Sequence, residues 1–209
     1  MTRNINGGRE GDAAPSESTS TSLLERAKAQ QGEAWERLVY LYGPLVYRWC
    51  RLAGLQGADA GDVAQEVFVA VAVGIADFRH DRPGDTFRGW LWGITRHKIG
   101  DHFRRREAHP PGRGGTRAHD QLTQIPDAPP SDSAPSPDPE GTYAVERRAI
   151  ELVRAGVEEQ TWIAFWRVVV DEQPVREVAD ELGMTTKAVY EAKYRVLRRF
   201  RREFDGLIG

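Results

Sequence analysis

The side chains in this chain best suited to chemistry are those that hold nucleic acids. Residues 86–106, TFRGWLWGITRHKIGDHFRRR, place Trp92, Arg96 and His97 around a helix and close on Arg104, Arg105 and Arg106. Aromatic faces stack on bases and arginines attract phosphates, and a single strand needs both. A second group, Thr185, Thr186, Lys187, Tyr190 and Glu191, follows a short apolar helix and a glycine. Threonine and glutamate can hydrogen-bond base edges, lysine can reach guanine, and tyrosine can pack on a thymine methyl. Arg195, Arg198, Arg199, Arg201 and Arg202 beyond them suit phosphates. A third group, Asp62, Gln65 and Glu66, shares the outer side of a helix. It reads either as a solvated face or as a docking face for a basic partner helix. Catalytic patterns do not emerge. The five histidines are scattered, no metal-spaced cluster occurs, and no glycine-rich phosphate loop follows a strand. Catalytic residues, metal ligands and cofactors are therefore expected to be absent.

Helices must carry these groups. Ser22-Leu23-Leu24-Glu25 has the form of a capping box and predicts a short helix that Gly32 ends. A longer helix over about 33–55 presents Trp35, Leu38, Leu45, Trp49 and Leu52 as a core stripe, with Pro44 expected to kink or split it. Asp59 or Asp62 is placed to cap the next helix, which runs to about Phe78 with Val63, Val67, Ala70, Val71 and Ile75 inward. Thr86 caps the following helix, whose core face is Phe87, Trp90, Leu91 and Ile94 at i, i+3, i+4, i+7.

Residues 107–142 hold most of the prolines and lack periodicity, which predicts a linker. From Tyr143 the helical period returns, first with Val145, Ala149, Leu152 and Val153, then with Trp162, Phe165, Trp166 and Val169. Pro174 opens a short helix with Val175, Val178, Ala179 and Leu182. Gly183 stands where a left-handed residue is wanted, and Thr185 or Thr186 caps a last helix lined by Val189, Ala192, Val196 and Phe200. Short helix, glycine turn and capped second helix make a helix-turn-helix pattern.

The whole chain sets bounds on this reading. Its 209 residues carry 29 lysines and arginines against 31 acids, so bulk charge does not argue for nucleic acid and only its distribution speaks. A single cysteine, Cys50, excludes an intramolecular disulfide and cysteine-rich metal sites. Residues 1–21 read as a disordered tail without the apolar core of a signal peptide. The longest apolar run, residues 67–76, is well short of the ~20 needed to span a bilayer. A soluble intracellular protein without membrane insertion is expected.

Two all-α units, one with aromatic residues for single strands and one with a major-groove reader, resemble the extracytoplasmic-function (ECF) class of bacterial RNA polymerase sigma factors. Residues 62–68, DVAQEVF, residues 87–92, FRGWLW, with the run 101–105, DHFRR, and residues 175–200 carry the resemblance. It implies an all-α fold of two small helical domains joined by a flexible proline-rich linker. The expected organisation is a tail at 1–21, sigma region 2 at 22–106, the linker at 107–142 and a region 4 helix-turn-helix at 143–206. It further implies a non-catalytic factor that binds core RNA polymerase, recognises −10 and −35 promoter elements and promotes melting. The implied partners are the polymerase β′ and β subunits, promoter DNA and an anti-sigma factor, in the bacterial cytoplasm.

Carried onto this chain, the family's roles give three groups. Asp62, Gln65, Glu66 and Phe68 would dock on polymerase. Arg79, Arg82, Arg88, Trp90, Trp92, Arg96, His97, Lys98, Arg104 and Arg105 would meet the −10 element. Thr185, Thr186, Lys187, Tyr190, Glu191, Tyr194, Arg195, Arg198 and Arg199 would meet the −35 element. Many relatives have asparagine where this chain has His97. The run 187–192, KAVYEA, also has fewer early arginines than relatives carry and adds an acid, so its preferred sequence is its own. The alternative reading is a stand-alone helix-turn-helix regulator using residues 143–204. It predicts a dimer on palindromic sites and no use for Asp62, Gln65, Glu66 or Trp92.

Overall fold

The computed structural model describes residues 22–79, 85–108 and 138–208, and among them all regular structure is helical. Helix α1 (Leu23–Lys28) starts as its capping signal predicts, with the Ser22 hydroxyl accepting from the Glu25 amide at 3.3 Å. Its end differs from expectation. The chain turns at Gln30, whose φ is +58°, and Gly32 is the first residue of α2 (Gly32–Leu52). Helix α2 is continuous through Pro44. An interior proline costs about 3 kcal/mol, and the buried stripe of Leu38, Leu41, Tyr42, Leu45, Val46 and Trp49 on both sides of it outweighs that loss. Leu52 leaves the predicted stripe and is 66% exposed.

Helix α3 (Gly57–Gly74) begins after Gln56, with no side-chain cap, so Asp59 lies in its first turn and Asp62 well inside. A 3-10 turn (Ile75–Asp77) ends it short of Phe78. Helix α4 (Phe87–Ala108) is capped by Thr86, whose hydroxyl accepts from the Gly89 amide at 3.0 Å. Its buried face is Phe87, Leu91, Thr95, Ile99 and Phe103. The predicted Trp90 and Ile94 are only partly buried against the core. A threonine replaces an apolar residue in the middle of that face without penalty because its hydroxyl donates to the Leu91 carbonyl at 2.8 Å.

Helix α5 (Pro139–Ala155) begins inside the stretch read as linker, with Asp138 as N-cap accepting from the Gly141 amide and Pro139 in the first turn. Helix α6 (Glu159–Val169) follows, then α7 (Val175–Leu182) and α8 (Thr186–Glu203). Helices α7 and α8 form the predicted helix-turn-helix. Gly183 takes φ +63°, the Met184 amide donates back to the Ala179 carbonyl at 2.9 Å, and the Thr185 hydroxyl accepts from the Ala188 amide at 3.1 Å. A left-handed residue there needs glycine, because a Cβ would strain the turn.

The two helical sets share one core. A single hydrophobic cluster runs from Leu23 through α2, α3 and α4 into Val145, Ala149, Val153, Trp162, Phe165, Phe204 and Leu207. Helix α2 is the common wall, packed by α1, α3, α4 and α5. A smaller cluster, Ala164, Val178, Ala179, Val189 and Ala192, holds the helix-turn-helix together. Helix α5 comes close to α2 because residue 141 is glycine. A Cβ there would collide with Leu45 and with Asp138. Gly141→Val is expected to destabilise the protein by about 1–3 kcal/mol through overpacking, seen as a lower midpoint in thermal unfolding followed by circular dichroism.

Candidate nucleic-acid and partner interface

The α4 group is divided by the fold. Trp90 lies against Phe78 and Phe87, with ring centroids at 5.0 and 5.6 Å. Trp92 is half-buried, edge-on to Trp49 at 5.1 Å. These indoles are partly committed to packing. Arg88 turns inward: its guanidinium lies 6.0 Å from the Trp49 ring, bonds the Thr142 hydroxyl and donates to the Asp138 carbonyl at 3.2 Å. Arg79 donates to the carbonyls of Ala76 and Phe78, closing the 3-10 turn. Arg82 lies outside the described residues. Arg96 and Lys98 are half-buried. His97 is the most outward of the predicted readers, with a side chain 70% exposed and Asp101 at 3.5 Å.

The basic end of α4 is answered by acids of the same chain. Asp101 pairs with Arg104, Glu66 takes Arg105 through both oxygens at 2.9 and 3.0 Å, and Asp59 stands 3.7 Å from Arg106 and 3.8 Å from His102. Exposed pairs of this kind are worth about 0–1 kcal/mol, so a phosphate can displace the carboxylates.

On α3, Asp62 and Gln65 are exposed and Glu66 is shared with Arg105. Phe68 is partly buried, edge-on to Trp35 at 6.2 Å. Two residues that sequence reasoning missed extend this face: Val69 is 66% exposed and Val73 79% exposed. They follow Asp62 at i+7 and i+11, so the same helical period that located the acids locates them. Exposed valines on an apolar helix are a surface suited to a partner.

The helix-turn-helix is the most complete of the three sites. Thr185, Thr186, Lys187, Tyr190, Glu191, Tyr194, Arg195 and Arg198 are all exposed, and the residues from Lys187 onward occupy one side of α8, opposite the buried Val189, Ala192 and Val196. Tyr190 and Tyr194 are 50% and 69% exposed, and Lys187 stands 3.8 Å from Glu191. Arg199 is placed differently from the other members of the set. It bonds the Gly156 carbonyl and Glu203 and is half-buried. With Arg195, Arg198 and Arg202 it borders a cleft of about 180 Å³ at the α5–α6 turn.

The fold is thus a helical bundle sharing its core with a second helical unit that ends in a helix-turn-helix, with basic side chains at the surface of each. Residues 38–109 match the Sigma-70 region 2 family model. The chain is 31% identical over 190 residues to the ECF RNA polymerase sigma factor SigD of Mycobacterium tuberculosis, across 87% of this chain and 82% of that protein. It is 30% identical over 194 residues to the ECF RNA polymerase sigma factor ShbA of Streptomyces griseus, across 86% of this chain and 92% of that protein. Among solved structures, CnrH in complex with the cytosolic domain of CnrY aligns over 85% of this chain and 92% of that one at 22% identity, with a TM-score of 0.35. The chain belongs to the ECF RNA polymerase sigma factors. The reading as a stand-alone helix-turn-helix regulator is not favoured. Among the described residues no helix is long and apolar enough to cross a membrane, and no group of histidines, cysteines and acids is arranged to hold a metal.

Thr185 is both cap and candidate reader, since its oxygen accepts from the backbone while its proton stays available. Thr185→Ala is expected to cost about 1 kcal/mol in urea denaturation, and Thr185→Ser to restore most of it.

Proposed function

We propose that this sigma factor divides its work among three surfaces. The α3 face, acidic at Asp62 and Glu66 and apolar at Val69 and Val73, docks on the β′ subunit of core polymerase. The α4 helix, led by His97 with Trp92, Arg96, Lys98, Arg104 and Arg105, holds the melted −10 strand. The α8 face from Thr185 to Arg198 reads the −35 duplex. Unstacking a base costs a few kcal/mol, offset by stacking and phosphate contacts. The chain catalyses no reaction itself, works in the bacterial cytoplasm on core polymerase and promoter DNA, and is held in check by an anti-sigma factor.

One observation carries the division: a left-handed Gly183 and the N-cap Thr185 precede an exposed face of α8 opposite its buried stripe, on a chain whose other unit matches sigma region 2. Helix α5 starts at Pro139, within the stretch 107–142 read as linker.

Run-off transcription by the chain and core RNA polymerase on a random promoter library tests the division. The wild type is expected to yield transcripts that define both elements. Val73→Asp is expected to weaken polymerase binding by tenfold or more while leaving thermal stability unchanged, since residue 73 is 79% exposed. Glu191→Ala is expected to change the preferred base at one −35 position by about 1–3 kcal/mol of discrimination. An unaltered preference would remove Glu191 from the reading set.

A further inference from the structure

We propose that the cleft at the α5–α6 turn binds an oligophosphate, two or three linked phosphates presented free or as the tail of a nucleotide. The site stands on its own residues and goes beyond the sigma-factor reading.

Arg195, Arg198, Arg199 and Arg202 border the cleft at the i, i+3, i+4, i+7 spacing of one helix face. Like charges at that spacing repel, so an anion that bridges them is stabilising. Many cations of this chain are matched by acids, as Arg37, Arg48 and Arg105 are. Among the described residues Arg195, Arg198 and Arg202 have no ion-pair partner. A concave site lined by one sign of charge concentrates its field. Arg199 is the fixed member. It bonds the Gly156 carbonyl, and a Cβ at residue 156 would collide with its guanidinium. Its acid, Glu203 at 3.4 Å, is shared with Arg37 at 2.6 Å, so the Arg199 charge is only partly matched. Thr161 also lines the cleft, 5% exposed, and its hydroxyl makes no hydrogen bond among the described residues. A buried hydroxyl calls for a partner, and a phosphate oxygen supplies one.

Charge and lining select the ligand. Glu158 opposes an anion, so four guanidiniums against one carboxylate leave three positive charges. A single phosphate monoester carries only about −1.5 to −2, and linked phosphates match the lining better. Guanidinium forks suit phosphate oxygens, which they take two at a time. Among the described residues no aromatic side chain lines the cleft, so a base has no platform on which to stack and the phosphates are the recognised group. The cleft is also set apart from the base-reading end of α8, since Arg198 stands about 18 Å along the helix from Thr186. Arg195 and Arg198 belong to the proposed −35 set as well. An oligophosphate in the cleft therefore competes with duplex phosphates for them.

Calorimetric titration of the full chain with inorganic tripolyphosphate tests this. One saturable site is expected. ATP is expected to bind as tripolyphosphate does, and adenosine to give no heat. Arg202→Gln and Thr161→Val are each expected to weaken tripolyphosphate about fivefold or more, and Glu158→Gln to tighten it. Arg202 and Glu158 are exposed, so their variants keep the fold even if Thr161→Val does not. Arg176→Gln removes an exposed arginine of α7 that does not line the cleft, and is expected to leave the affinity unchanged. Absence of saturable binding, binding of adenosine, or equal weakening by Arg176→Gln would overturn the site. So would an Arg202→Gln effect seen with a promoter duplex but not with tripolyphosphate, which would assign the cleft to a DNA phosphate instead.

Discussion

Tyr42 is the joint on which the arrangement depends. Its ring packs on Phe87 and so ties α2 to α4, and its hydroxyl reaches the Leu207 carbonyl and so ties α2 to the C-terminal turn. Burial pushes its phenol well above the ordinary tyrosine value, so the proton that makes this bond is retained at any physiological pH. A phenol is fit for the task because it fills an apolar site along its length and still satisfies a carbonyl at its tip. Without that bond the buried carbonyl of Leu207 would lose its partner, at a cost of about 1–3 kcal/mol.

Around this joint the protein meets its own charges. Arg105 lies on Glu66, Arg104 on Asp101 and Arg48 on Asp138. A near-neutral chain that must bind a polyanion therefore stores many of its cations in intramolecular pairs. Such pairs are weak in water and screened by salt, whereas a duplex or strand offers a row of phosphates and releases counterions when it binds. The pairs thus lower non-specific attraction to nucleic acid without removing the cations from use. Arg88 and Arg199 are different. Their guanidiniums bond backbone carbonyls, that of Arg88 in a partly buried place and that of Arg199 at the surface.

Much of this was legible because it is local. Thr86, Ser22 and Thr185 cap helices within three residues of themselves, and Gly183 supplies a backbone angle that its own missing Cβ permits. The helix-turn-helix face of α8 was readable for the same reason: a 3.6-residue period with Val189, Ala192 and Val196 on one side leaves Tyr190, Glu191 and Tyr194 on the other. Val69 and Val73 could have been found by the same period. The burial of Ile94, Thr95 and Leu52 could not be assigned in this way. Which side of α4 is inward depends on where Trp49 and α3 stand, and Leu52, the last residue of α2, is left exposed.

The amino-acid order by itself determined that the chain is helical, that it ends in a helix-turn-helix, and that its region 2 motifs place it with the ECF sigma factors. Each of those rests on propensity, period or short motifs, which act over a few residues. Tertiary structure alone decided that the second unit lies against the first through Arg37, Arg48, Tyr42 and Gly141, and that Arg88 and Arg199 bond backbone carbonyls far from them in sequence. Those contacts join residues 43 to 166 positions apart, from Arg199 and Gly156 to Arg37 and Glu203. No local pattern specifies such pairings, because they depend on which surfaces remain apolar after each helix has formed.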